Sequence, residues 1–400
     1  YKSPMQPIEA VRRLNKGEQE YHAIHKQLRM LVKENILIKK AGGFQAVVNE
    51  RTELLYGLIY YCLQNGINYN LLLDANFATF VSKALQKKEI TPHNMRLNPR
   101  TLRNYIDILD KYGFVLIISE KPLRAKVFYC ILLNNLLVYF GYKHPVITED
   151  MYNYLPNIEK ELKIYRKLRK KDEAGYQRIV KASEVHFVHH SLMLEGNPIT
   201  LPDTIRILHN KIIPANINLK DVEEVKHYQE AIMQMLKDSI ERKSLSLPLV
   251  LQYHTIAMRH EPEIAGKIRM IPVYIKGNKD FTVVPLDKIT VELEVLFEQY
   301  NKFVAKKKVS VNEILKFAVY FHNEFQHIHP FEDGNSRTTR LITFYLLQSK
   351  DIPILDIPFG LLDEYVASTK GSKKREDEKL NKNLQKIILY NLKHVNKKLL

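Results

Sequence analysis

The stretch His329-Pro-Phe-Glu-Asp-Gly-Asn-Ser-Arg-Thr-Thr-Arg340 sets a base, an acid, a glycine turn and two guanidinium groups within twelve residues. A glycine-led turn that opens a helix aims free N–H groups and the positive end of the helix dipole at an anion. Arg337 and Arg340 lie three apart, on one face of that helix, and each offers a planar fork of donors suited to phosphate oxygens. Asp333 is the kind of lone carboxylate that Mg²⁺ takes together with nucleotide phosphates, and a histidine supplies a base that works near neutral pH. Together these residues read as a nucleotide phosphate site.

The flanks place this run on a helix–loop–helix. From Val311 to Ile328 the apolar residues Ile314, Phe317, Ala318, Phe321, Phe325 and Ile328 fall at the spacing of a buried helix face. That helix delivers His329 to its C-terminal end, where Pro330 interrupts it. A second helix begins at Asn335 and runs to Ser349.

The run closely resembles the signature of the Fic (Fic/Doc) family, H-x-F-x-[DE]-G-N-[GK]-R-x-x-R. The one departure is Ser336, where the family most often has Gly or Lys; a serine hydroxyl still donates to phosphate. The resemblance covers residues 151–370. Ser191-Leu-Met-Leu-Glu195-Gly196-Asn197 resembles the family's inhibitory motif, [ST]-x-x-x-E-[GN], with Ser191 and Glu195 on one helix face and Gly196 ending the helix. This implies a carboxylate that occupies Arg340 and repels an incoming γ-phosphate. Two β-prone arms around Gly277-Asn278, from Ile271 to Val284, resemble the family's flap, which registers a target peptide by strand addition through Val273, Tyr274, Ile275, Lys276 and Gly277. The plain alternative is a hairpin that covers the core.

The resemblance implies a mainly α fold: an all-helical Fic core with a β-hairpin flap, preceded by a winged-helix-like domain. It also implies transfer of AMP from ATP to a Ser, Thr or Tyr hydroxyl of a protein target, restrained in cis by Glu195. In that scheme His329 takes the hydroxyl proton, Asp333 holds Mg²⁺, and Gly334, Asn335 and Ser336 cradle phosphates. Arg337 stabilises the leaving pyrophosphate and Arg340 binds the γ-phosphate. Removal of AMP from a modified protein is a second reading of the same residues. Family members often self-associate, so a homo-oligomer is expected.

The N-terminal third carries a different pattern. Residues 7–37 read as one helix, broken by Ala41-Gly-Gly43; Thr52–Gln64 and Phe77–Lys87 read as two more. Asn98 caps a fourth helix that runs to Lys111, with Pro99 at its first position. Phe114–Ser119 and Ala125–Leu133 then read as strands across a charged turn. Three helices and a two-stranded wing make a winged-helix pattern, with Arg100 and Arg103 at the start of the basic helix and Lys121, Arg124 and Lys126 on the wing. Between Lys83 and Lys126 ten basic side chains face four acidic ones. DNA contact and protein contact are both open to such a module; in the former, the chain is a DNA-binding regulator whose Fic domain senses nucleotide. The expected division is 1–45, a helical segment; 46–145, winged-helix-like; and 146–400, the Fic domain.

A formal net charge of +17 over 400 residues suits acidic partners such as nucleotides or nucleic acid, without choosing between them. No apolar run approaches a membrane span, Tyr-Lys-Ser-Pro opens without an apolar signal core, and two cysteines make neither a disulfide framework nor a metal set. A cytoplasmic location and no membrane partner are expected. His186, His189, His190, His322 and His327 do not form an H-E-x-x-H pattern and read as helix residues, leaving Mg²⁺ as the expected metal.

Overall fold

The computed structural model describes the chain except residues 1–3, 15, 41, 88, 146–149, 151, 216, 275–280 and 370–376. It is mainly α-helical. The N-terminal part comprises α1 (Pro7–Arg13), α2 (Tyr21–Lys33), the pair β1 (Leu37–Lys40) and β2 (Gly43–Ala46), α3 (Glu50–Gln64), α4 (Tyr69–Leu72), α5 (Ala75–Leu85), α6 (Pro92–Met95), α7 (Pro99–Lys111), β3 (Val115–Glu120), β4 (Leu123–Val127) and α8 (Ile131–Tyr139). The remainder comprises α9 (Leu155–Lys171), α10 (Glu173–Met193), α11 (Leu201–Ile205), α12 (Leu219–Ile240), α13 (Leu247–Ala257), α14 (Ile289–Val304), α15 (Val311–Ile328), α16 (Asn335–Gln348), α17 (Leu362–Thr369) and α18 (Asp377–Leu399).

Local chemistry explains the elements that carry the site. Ser310 and Glu313 form a reciprocal capping box at the start of α15, satisfying two N–H groups that the first turn leaves free. Apart from Ser336, every residue of α16 is buried, so it is the central rod of the C-terminal part. It packs against α10, α12, α13 and α15. Asp172 caps α10 through the Gly175 N–H, and α10 then runs 21 residues to Met193, just before Glu195.

One set of buried apolar side chains runs from Leu58 to Val395 and includes residues of both parts. The Gly360 N–H donates to the Gly113 carbonyl at 2.9 Å and the Ile131 N–H to Asp363 Oδ2 at 2.7 Å, so β3 and α8 are stitched to the segment that follows α16. Among the described residues no helix is long and apolar enough to cross a membrane.

Three local expectations change. The helix expected over 7–37 stops at Arg13, resumes at Tyr21 and gives way to the antiparallel pair β1–β2, which turns at Gly42-Gly43. The second wing strand ends at Val127, and Ile131 begins α8 instead of continuing it to Leu133. A short apolar run does not distinguish buried strand from buried helix by itself. In the expected flap, residues 275–280, including Ile275, Lys276 and Gly277, lie outside the described residues; the flanking 271–274 and 281–284 carry no strand.

Candidate active site

His329 follows the last residue of α15 in a left-handed conformation, φ 51°, which turns the chain out of the helix and into the loop. Its Nδ1 lies 3.2 Å from the Gln326 carbonyl. A carbonyl only accepts, so Nδ1 carries the proton and Nε2 keeps a free lone pair. Burial brings the imidazole pKa down to about 4; Arg269 acts in the same direction, while the Gln326 carbonyl, Asp333 and Glu195 oppose it. His329 is therefore a neutral base at physiological pH.

The loop is built around Phe331, which is fully buried and stacked on His254 at 3.7 Å between ring centroids. Asn335 clasps the Phe331 backbone twice: Nδ2 donates to its carbonyl at 2.8 Å and Oδ1 accepts from its N–H at 3.0 Å. The Asn335 side chain is thus spent on the shape of the loop. Gly334 caps α16 with φ 78°, and an added Cβ would come within 2.8 Å of Met258 Sδ and 3.0 Å of His254 Nε2. Only glycine meets both demands easily. Ser336 sits in the first turn of α16 and is not among the residues with positive φ, so a serine carries no backbone strain there.

Both arginines of the run are buried and both are held by carboxylates. Arg340 Nε donates to Ser191 Oγ at 2.5 Å, and Nη2 donates to the Ser191 carbonyl at 3.0 Å and to Glu195 Oε1 at 2.7 Å. Gly196, with φ 92°, turns the chain beyond Glu195. Arg337 Nη2 donates to Asp333 Oδ2 at 2.9 Å, and Nη1 donates to Glu224, a residue of α12. Asn197 Nδ2 donates to the other oxygen of Glu224 at 2.7 Å. Tyr228, also on α12, accepts from Ser191 Oγ and donates to the Arg337 carbonyl. The segment from Ser191 to Asn197 therefore reaches both guanidinium groups, one directly and one through Glu224.

Asp333 is the most exposed of these groups, with 65% of its side chain open to solvent. Its pKa lies below the ordinary carboxylate value: burial pushes upward, but Arg337 and the Gly334 N–H more than offset this. An ionised carboxylate at the rim, beside the buried and unpartnered Nε of Arg337, fits Mg²⁺ with its phosphates. Glu195, His329, Ser336, Arg340 and Tyr365 bound a small cavity of about 40 Å³.

Arg269, Glu224, Tyr228 and His254 were not anticipated from the sequence. Arg269 is 4% exposed and pairs with no carboxylate among the described residues; it donates to the carbonyls of His329 (2.7 Å), Ile271 (3.3 Å) and Val284 (2.5 Å). It thereby fixes both described ends of the 271–284 segment beside His329. Val273 is partly exposed, and Tyr274, the last described residue before the gap, is 91% exposed. Of the N-terminal cations, Arg103 pairs with Asp107 and Glu120, Arg124 with Glu89 and Lys126 with Asp150. Arg100 and Lys121 have no such pairing among the described residues.

Residues 244–347, which contain the loop and α16, match the Fic/DOC family model. Over 186 residues the chain is 25% identical to the protein adenylyltransferase Fic of Drosophila erecta, a match covering 46% of this chain and 36% of that protein. Over 191 residues it is 26% identical to the protein of the same name from Nematostella vectensis, covering 47% and 43%. The chain thus matches less than half the length of these relatives. Among solved structures, a Fic domain containing signaling protein from Bacteroides thetaiotaomicron aligns with a TM-score of 0.53 and 19% identity over 61% of this chain and 97% of that one, a likeness of fold. The region that carries the His329–Arg340 loop is thus similar to the domain of the Fic/DOC family, and the relatives it matches are named for it.

Proposed function

We propose that this protein transfers AMP from ATP to a hydroxyl group of a protein target and that Glu195 holds the reaction in check. The observation that carries the reading is Arg340: a buried guanidinium whose donors are taken by Glu195 and Ser191. Withdrawal of Glu195 would leave Arg340 to a γ-phosphate of like charge and geometry.

With the nucleotide seated, the acceptor oxygen attacks the α-phosphorus as His329 Nε2 takes its proton. The new P–O bond forms as the bond from the α-phosphorus to the oxygen bridging it to the β-phosphate breaks, and pyrophosphate leaves. Arg337 faces the charge that develops on it, and the N–H groups at the Gly334 turn cradle the phosphates. Asp333 would hold Mg²⁺, which neutralises phosphate charge when bound. The 271–284 segment, tied by Arg269 to the loop, is where an extended acceptor peptide would lie, with Val273 and Tyr274 at its near end.

Relatives named protein adenylyltransferase support this chemistry. In the test, the Glu195→Gly variant labels itself or a target from ATP carrying a tagged α-phosphate, well above wild type, and adding His329→Ala returns labelling to background. Absence of labelling by the Glu195→Gly form with any nucleotide would refute the proposal.

The order α3, α5, α7, β3–β4 supports a winged-helix reading of residues 46–145. Three of its five candidate DNA contacts are already paired with carboxylates, which favours a protein-contact role, while Arg100 and Lys121 keep DNA in view. Polarisation titration with duplex DNA decides it: phosphate contacts give binding that weakens steeply with salt, and binding absent at low salt removes the DNA reading.

A further inference from the structure

We infer that His186, His190 and Asp356 form a binding site for a divalent transition metal of the zinc class, apart from the nucleotide loop. His186 and His190 stand four apart on α10, so their imidazoles leave the same face one turn apart, with ring centroids 6.0 Å from each other. Asp356 reaches them from the segment between α16 and α17. One ligand atom from each residue lies within 4.8 Å of the other two, and among the described residues this is the one such group.

The geometry is close to a working metal site. Tetrahedral ligands at about 2.0–2.2 Å from zinc stand about 3.4 Å from one another. His190 Nδ1 is already 3.0 Å from both oxygens of Asp356. His186 is exposed, which leaves its side chain room to turn toward them. Burial rises from exposed His186 through half-buried Asp356 to buried His190, so the site is open on one side for an ion to enter.

Asp356 is held as metal-binding carboxylates usually are, by groups behind it. The Ile357 N–H donates to its Oδ1 at 2.8 Å. Asn391 on α18 accepts from its N–H at 3.3 Å and donates to its carbonyl at 2.8 Å. Two imidazoles and one carboxylate suit zinc and its neighbours, whereas Mg²⁺ and Ca²⁺ take mostly oxygen. Lys398 is the cation within electrostatic reach of the cluster that opposes an ion there.

The site lies next to the restraint. Ser191, the residue after His190, accepts from Arg340. A bound ion would tie the end of α10 to the 349–361 segment at that point. The binding itself does not rest on the proposed activity and is tested without it. Untagged full-length protein is titrated with Co²⁺, and the visible absorption of the tetrahedral ion is followed. One equivalent is expected to give the band, Zn²⁺ to remove it and Mg²⁺ to leave it. His186→Gln, at an exposed position, keeps the fold and weakens binding about tenfold or more, as does Asp356→Asn; Asp333→Asn leaves the band as in wild type. No band, or equal Co²⁺ affinity in wild type and His186→Gln, overturns the site, as does a band lost only in Asp333→Asn.

Discussion

Arg340 gains its meaning from what surrounds its guanidinium. It is 2% exposed, and Glu195 is the carboxylate that answers its charge. Removing one partner of a fully buried ion pair costs roughly 3–5 kcal/mol, because the other charge is left uncompensated. Here the loss is smaller, since Ser191 retains two hydrogen bonds to Arg340 and the Glu195 side chain is 22% exposed. Glu195→Gly is therefore expected to melt below wild type without nucleotide. A phosphate that takes the vacated position restores the missing charge, so ATP with Mg²⁺ should raise the Tm of the variant by more than it raises that of wild type. Equal shifts in a thermal scan would mean that Glu195 and the phosphate do not compete. Arg337 repeats the design with Glu224, and Asn197 links Glu224 to the segment that carries Glu195.

At the scale of elements, the loop works because the end of α15, the turn after it and the 271–284 segment meet at Arg269. Its planar fork reaches three backbone carbonyls, those of His329, Ile271 and Val284. Lysine has one compact ammonium on a flexible stem and cannot hold three acceptors in that arrangement. In the Glu195→Gly background, Arg269→Lys is expected to lower kcat for transfer about tenfold while ATP binding changes little, because nucleotide and acceptor are held by different parts. A kcat equal to that of the parent would separate the segment from catalysis. The helices α15 and α16 were legible in the sequence, since apolar spacing, the break at Pro330 and the glycine turn all agree on them. The pair Ser191 and Glu195 was legible through its spacing. Glu224 was not: Glu223 stands beside it, and only a rotation of about 100° per residue around α12 decides which one meets Arg337. Arg269 was hidden for another reason, because its partners are backbone carbonyls and leave no mark on the residues that supply them. The β1–β2 pair was missed, and the helix carried on to Leu37, because four-residue strands are too short to set up a period of their own.

At the scale of the whole molecule, a set of histidines is folded into the interior in neutral form. His254 and His322 are fully buried, and burial is the main cause that brings each down to about 4; His189 lies at about 3 for the same reason. Their hydrogen bonds suit the neutral ring: His254 accepts from the Gly266 N–H on Nδ1 and donates to the Asp333 carbonyl from Nε2. A histidine in the unfolded chain takes a proton near pH 6.5. Between there and about pH 4 the unfolded state binds more protons than the folded one, so stability rises with pH across this window and is lost as pH falls through it. For His254 and His322 the loss between pH 6.5 and 5 is roughly 2 kcal/mol each. Asp333 and Asp150, whose pKa values are lowered, contribute stability that is lost only below the ordinary carboxylate range, outside this window. Repulsion within a chain of net charge +17 acts in the same direction as the histidines. Salt separates the two, because it screens exposed charges and leaves the buried sites largely unaffected. Thermal scans from pH 7 to pH 5 are therefore expected to lose about 5 °C or more in Tm, with most of the loss persisting in 0.5 M salt (about a 4 Å screening length). A flat profile, or one that salt abolishes, would mean that these histidines are protonated within the fold and that the loop resting on His254 tolerates a charge beneath it.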